Sequence, residues 1–273
     1  MSAQAQMQAD PQSGPHAQAV ADLRPDTLAQ LRSELAQARQ QISDMAAAQE
    51  DFLRGVSHDL RAPLRHVTSF GALVREVLQE QPPQLDEALA MLATMEQSAR
   101  RMGQMIDGLQ AIARARRVAL RSQATDLTAA VQQARAALGS AADRVRWSIS
   151  SDMPAVQADA ELLGQLLAQL LGNAVKFSRG AAQPCVHVRA QPAAPGRVQI
   201  TVQDNGAGFD GARAQQLFGV FQRMHRESEF EGVGAGLALC LAIAQRHGAT
   251  VQAQAALGAG CTVTLNWPAS DEP

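Results

Sequence analysis

The chain has 273 residues and a formal net charge of −2, which excludes a general affinity for nucleic acid or for an anionic membrane surface. Hydrophobic residues make up 46% of it, yet aromatics only 3% and tyrosine is absent, so small and aliphatic side chains must fill the interior. No apolar run is long enough to cross a bilayer, and the start lacks a charged-then-apolar signal pattern. Cys185, Cys240 and Cys261 are odd in number and without metal-ligand spacing, so they read as reduced thiols of a cytoplasmic protein with no membrane insertion.

In chain order, residues 1–25 are rich in Ala, Gln and Pro without periodicity and are expected to be disordered. From Asp26, Leu28, Leu35 and Ile42 alternate with Leu31, Ala38, Met45 and Phe52 in a heptad register that Gln49 interrupts, predicting a coiled-coil helix over 26–51. It leads without a break into "GVSHDLRAPLRHV" and on to about Gln79. There Val56, Leu60, Pro63, Leu64, Val67, Phe70 and Val74 form one apolar stripe. At about 100° per residue His58 points nearly opposite that stripe, sharing a face with Arg61, Ala62 and Arg65. An exposed imidazole is either incidental or a nucleophile, and the rest of the chain must say what it would attack. "EQPPQ" breaks the helix with two prolines. A second run, Leu85, Leu89, Leu92, Ala99, Met102, Ile106 and Leu109, predicts its antiparallel partner, with Met91, Met95, Met102 and Met105 as core filler. The hairpin of 52–117 has one apolar face and buries too little alone, so pairing with a second copy into a four-helix bundle is expected.

Beyond it, over 118–273, helical and strand-like runs alternate. "DLTAAVQQARAAL", "DAELLGQLLAQLLGNAVKFS", "ARAQQLF" and "GLALCLAIAQRHG" read as helices. "RVRWSIS", "AVQA", "CVHVRA", "RVQITVQD", "TVQAQAA" and "TVTLNWP" read as strands, mostly hairpin-like, of an α/β sandwich. In the Leu-rich helix, Leu163, Leu166, Leu167, Leu170 and Phe177 form the expected core stripe, flanked by a polar strip of Gln165, Gln169, Asn173 and Lys176. Asn173 lies nearest the stripe, and its amide needs a partner: a structural hydrogen bond, or a metal or phosphate. Lys176 is the only lysine of the chain. "VQDNGAGF" sets Asp204, Gly206 and Gly208 after a strand, either as turn chemistry or as a loop whose backbone approaches a ligand while the carboxylate accepts from an amino group. "EGVGAGLAL" puts Gly232, Gly234 and Gly236 directly before a helix, where free N–H groups suit phosphate.

These stretches, in this order, resemble the sensor histidine kinases of bacterial two-component systems over roughly residues 45 to 268. "SHDLRAPLR" is similar to their phosphoacceptor box, "LLGNAVKFS" to the N box, and "DNGAGF" and "GVGAGLAL" to the glycine boxes. "LFGVFQRMH" resembles the F box and "GAGCTVTL" the last turn motif. The short lid "FQRMHRESEFEGVG" looks most like kinases attached to bacterial phytochromes. The resemblance implies an α+β protein: a disordered segment (1–25), a coiled-coil signalling helix (26–51), a dimerisation and histidine-phosphotransfer hairpin (52–117) and a two-layer α/β sandwich that binds ATP (118–273).

It further implies that His58 is the phosphoacceptor and that Asp59 orients the imidazole or takes its proton. Because neighbours at i, i+1 do not face each other on a helix, Asp59 must reach back by its rotamer or act in a bent state that Pro63 permits. Asp204 would recognise the adenine amino group, with Gly206 and Gly208 lining the base pocket and Thr262 near it. Asn173 would ligate Mg²⁺ and Lys176 would meet phosphate. Gly232, Gly234 and Gly236 would flank the triphosphate, and Arg223 would contact it. The implied partners are a second copy of the chain and the receiver domain of a response regulator. Input would come either from the rest of a longer receptor or from a sensor partner docking on the coiled coil.

Two positions depart from the pattern: Gln169 replaces an asparagine, and Ala62 stands where kinases that also dephosphorylate their partner carry Thr or Asn. The expectation is therefore a kinase with weak or absent phosphatase activity. The alternative is a degenerate kinase acting as a nucleotide-binding scaffold. A gyrase-like ATPase is disfavoured, since it needs no helical hairpin with an exposed histidine.

Overall fold

The computed structural model describes residues 25–226 and 228–270. The segment expected to be disordered lies outside them, apart from Pro25. The chain divides at Ser57 and His58 into two units. In the first, the described residues form the leading part of one helix, α1 (Pro25–Gln79). Leu31, Leu35, Ile42 and Met45 are exposed along it, as the unpaired seam of a heptad pattern would be.

In the second unit α1 runs through Pro63 without interruption and ends at the predicted prolines. The turn at 80–84 is closed by the Gln84 N–H donating to the Val77 carbonyl (3.2 Å), and α2 (Leu85–Arg117) returns antiparallel. Asp86 and Glu87 in its first turn and Arg114, Arg116 and Arg117 in its last complement the helix dipole. Val77, Ala88 and Met105 are buried. Leu64, Leu73, Leu85, Leu89 and Leu92 remain exposed, so the hairpin covers only part of its apolar surface.

The remainder contains β1 (Gln123–Thr125), α3 (Leu127–Ala136), α4 (Ser140–Asp143), β2 (Arg146–Ile149), β3 (Val156–Ala158) and α5 (Ala160–Ser178). These are followed by β4 (Cys185–Pro192), β5 (Arg197–Asp204), a 3-10 helix (Gly211–Phe218), α6 (Gly236–Arg246), β6 (Thr250–Ala256) and β7 (Gly260–Pro268). The main sheet has strand order β2-β4-β5-β7-β6. All its pairs are antiparallel except β2 with β4, the crossover that α5 provides. β1 and β3 form a separate antiparallel pair. Two elements went unread in the sequence: β1 is three residues long and α4 four, too short for any period to register.

Alternation along the strands turns Val186 and Val188, Val198, Ile200 and Val202, and Val263, Leu265 and Trp267 toward Leu163, Leu166, Leu167 and Leu171 of α5 and Ile243 of α6. Each such buried leucine contributes about 1.5–3 kcal/mol. Ile112 and Ala115, in the last turns of α2, belong to the same core. Phe177 does not: Leu171 and Ala174 continue the buried stripe instead, and Phe177 is only half-buried, packed against the rings of His225 and Phe230. Asp159 caps α5, accepting from the Leu162 N–H (3.1 Å) and the Arg121 N–H (3.0 Å). Its own N–H donates to Nε2 of the buried His247 (3.0 Å). That nitrogen must therefore carry the lone pair, which puts the ring proton on Nδ1, 2.8 Å from the Ile243 carbonyl.

Candidate active site

A cavity of about 850 Å³ opens between α5, the C-terminal end of β5, the loop before α6 and β7. That is ample for a nucleotide-sized ligand. At one end lies Asp204, the last residue of β5, 8% exposed. Its Oδ1 accepts from the N–H groups of Gly206 (2.8 Å) and Cys261 (3.3 Å), which fixes the carboxylate and leaves Oδ2 without a protein partner among the described residues. Burial pushes the Asp204 carboxyl up, partly offset by those two N–H groups.

Glycines hold this end together by close approach. Gly208 has φ +59°, and a side chain there would run into the Ala256 carbonyl. Gly206 sits against the Phe177 carbonyl, so it shapes the loop without lining the cavity. Thr262 does not line it either. It pairs with Gln203 and Gln254 on the opposite face of the sheet, and its neighbours Cys261 and Val263 face the cavity. Strand alternation thus leaves Thr262 one residue off the lining. Burial pushes the Cys261 thiol up to about 12, with the Asp204 charge adding to the effect.

Along α5, Gln169, Asn173 and Lys176 all line the cavity. The Asn173 amide has no hydrogen-bond partner among the described residues, so the structural bond left open by the sequence is not made. Lys176 Nζ donates to the Glu231 carbonyl (3.2 Å) and lies 4.3 Å from the Phe177 ring centre. Burial lowers its pKa, against the attraction of Glu231.

The loop before α6 is tied at its base, where the Phe221 N–H donates to the Gly234 carbonyl (3.0 Å) and Phe221 takes φ +61°. Its middle folds back on α5. Phe177, His225 and Phe230 cluster with ring centres 4.9–5.4 Å apart, Arg179 pairs with Glu231 (2.7 Å), and Arg223 donates to the Phe230 carbonyl (2.6 Å). Gly232, Gly234 and Gly236 line the cavity, and Gly236 leaves room for the Gln169 side chain against the start of α6. The Phe177–His225–Phe230 cluster escaped sequence reasoning because Phe177 fits the helical core period.

His58 and Asp59 lie apart from this lining, on α1. The His58 side chain is 81% exposed, and its Nδ1 is 3.1 Å from Oδ1 of Asp59. The reach back along the helix is thus made by a rotamer in an unbroken helix.

A buried carboxylate, a glycine-bounded cavity and a helix of amide and lysine side chains, joined to a hairpin with an exposed histidine, define a nucleotide-binding module coupled to a phosphoacceptor helix. Residues 158–271 match the family model of histidine kinase-, DNA gyrase B- and HSP90-like ATPases, and residues 48–117 that of the His Kinase A (phospho-acceptor) domain. The chain is 30% identical over 241 residues to cyanobacterial phytochrome A of Nostoc sp., covering 86% of this chain and 30% of the phytochrome. It is 28% identical over 267 residues to the adaptive-response sensory kinase SasA of a Synechococcus strain, covering 95% of this chain and 68% of the kinase. Among solved structures, full-length ShkA in complex with AMPPNP aligns with TM-score 0.53 at 24% identity, over 80% of this chain and 45% of that one. The histidine kinase ThkA in complex with the response regulator protein TrrA aligns with TM-score 0.57 at 14% identity, over 88% and 66%, a likeness of fold alone. The chain is a two-component sensor histidine kinase core, with the phosphoacceptor domain followed by the ATPase domain. It spans less than a third of the phytochrome it matches.

Proposed function

We propose that the chain is an ATP-dependent protein-histidine kinase that phosphorylates its own His58 and passes the phosphoryl group to an aspartate of a response regulator. The observation that carries the reading is the His58–Asp59 pair. An Nδ1–H donated to the carboxylate leaves the Nε2 lone pair facing solvent as the nucleophile. Nε2 forms a bond to the γ-phosphorus while the bond from that phosphorus to the bridging oxygen breaks. ADP departs with the electron pair, and Asp59 holds or takes the Nδ1 proton.

In the cavity, Oδ2 of Asp204 accepts from the adenine amino group, and Gly206 and Gly208 set the loop that lets the base approach. Lys176, Arg223 and the Gly232, Gly234 and Gly236 backbone meet the phosphates. The partnerless Asn173 amide suits Mg²⁺, which would neutralise phosphate charge. Thr262, on the far side of the sheet, has no contact role in this reading. The ThkA–TrrA complex supports a response regulator as phosphate acceptor. The exposed leucines of the hairpin support a homodimer, and the exposed heptad seam of α1 an input partner. ATP use and free cysteines suit a cytoplasmic setting.

The test is incubation with γ-³²P-ATP and Mg²⁺, wild type beside His58→Gln. Acid-labile, alkali-stable label present in the wild type and lost in the variant is the expected result. No label in the wild type with nucleotide binding intact would instead favour the scaffold reading. Gln169→Asn would then be the next protein to test, since the Gln169 side chain lies against Gly236. Ala62, one turn beyond His58, offers no group to hold a hydrolytic water. Dephosphorylation of the phosphorylated regulator should be negligible with wild type and ADP and appear with Ala62→Thr. Strong activity in the wild type would refute this.

A further inference from the structure

The cavity has one wall that no nucleotide motif supplies. Gln97, Arg101, Gln104, Gly108 and Ala111 of α2 line it at alternating spacings of four and three, with Arg100 and the carboxylate of Asp107 beside them. That is one continuous helix face, offset by one position from Ser98, Met105 and Ile112, which are buried. The face is seated by Gly108, where a Cβ would come within 2.5 Å of the Ala235 Cβ, the residue that opens α6. A mid-helix glycine otherwise only weakens a helix. Gly103, five residues earlier on the same helix, has nothing within 4 Å of the same position, so the contact at Gly108 is specific. Arg246 at the far end of α6 donates to the Arg116 and Val118 carbonyls, and Ile112 and Ala115 enter the core of the ATP-binding module. The helix is thereby held against this module at three levels.

We infer that α2 is part of the nucleotide site, with Arg101 as a polyphosphate-binding residue contributed by the hairpin. The inference rests on reading the cavity as an ATP site. Arg101 brings a guanidinium into the space that Lys176, Arg223 and the glycine loop already line, and a guanidinium matches phosphate oxygens bidentately. The neighbouring Arg100 also borders the cavity, but it is paired with Glu96 (3.3 Å) and largely exposed. The antiparallel contacts Val77–Gln84 and Gly71–Met95 set His58 level with about residues 103–108 of α2, the turns that meet the cavity. The grip on the triphosphate therefore depends on the position of the helix that also supports the phosphoacceptor. Any input that shifts α2 changes nucleotide affinity.

The experiment titrates ATP and adenosine into the whole chain by calorimetry. Arg101→Gln should weaken ATP roughly tenfold and leave adenosine unchanged, because only the charged tail loses a partner. Gly108→Leu, which wedges α2 off Ala235, should weaken ATP to a similar degree, and the double variant should lose no more than Gly108→Leu alone. ATP binding unchanged in Arg101→Gln, or two losses that simply add, would overturn the inference. Failure of the underlying reading looks different: the wild type would then bind neither ATP nor adenosine, or Asp204→Asn would leave both intact.

Discussion

Asp204 shows a conflict between stability and binding in one side chain. Its carboxyl is buried and pushed up, so the folded chain holds a proton there over a range in which the unfolded chain has already released it. Its effect on stability is therefore unfavourable once pH rises through the ordinary carboxylate range and into the raised one. Asp204→Asn keeps an Oδ1 acceptor for the Gly206 and Cys261 N–H groups and removes the buried charge. Without nucleotide, the variant should melt at a higher temperature than wild type at neutral pH, with the gap closing as pH falls below the ordinary carboxylate range. Its affinity for adenine nucleotides should drop roughly tenfold or more, since an NH₂ would then face the adenine amino group. Thermal melts across pH with a parallel ATP titration check both. A destabilised apo variant would contradict the account. Asn173 was legible as a residue awaiting a partner, because its helical phase alone put an amide beside a leucine stripe. Thr262 stands one residue off the cavity lining, because the period of two that reveals a strand does not say which of its faces meets the cavity.

At the scale of elements, the loop before α6 is latched by rings. Phe230 meets Phe177 and His225, and the Arg179 guanidinium lies 5.2 Å from its ring centre. Aromatic pairs of this geometry contribute about 0.5–1.5 kcal/mol each beyond burial. Phe230→Ala should therefore release the loop. Limited proteolysis should cut faster between Phe221 and Gly234, at an unchanged global melting temperature. An unaltered cleavage rate would mean that the ion pair of Arg179 with Glu231 suffices. The long helices were plain in the sequence, since each repeats its apolar period over several turns and stops at prolines or after a run of arginines. The wall that α2 gives the cavity was not. Gln97, Arg101 and Gln104 lie outside the apolar run read for this helix, and no local pattern encodes the meeting of Gly108 with Ala235.

Over the whole molecule, the exposed leucines of the hairpin stand out against a well-filled second core. Leu89 is 63% exposed and Leu64 50%. Covering such side chains is worth about 1.5–3 kcal/mol apiece, and a symmetric partner covers each of them twice. Sedimentation should give a dimer for the wild type and a monomer for Leu64→Asp/Leu89→Asp, with the second core still folded by circular dichroism. A variant that stays dimeric would move the interface elsewhere, for instance to the heptad face of α1. Finally, the chain has one lysine, and it is at the nucleotide cavity, bound to the lid through the Glu231 carbonyl. Isotope-labelled lysine would thus give a single side-chain resonance, a built-in reporter of lid state and nucleotide occupancy. With its pKa lowered by burial, the same amine is the one ε-amino group an acylating ATP analogue has to find.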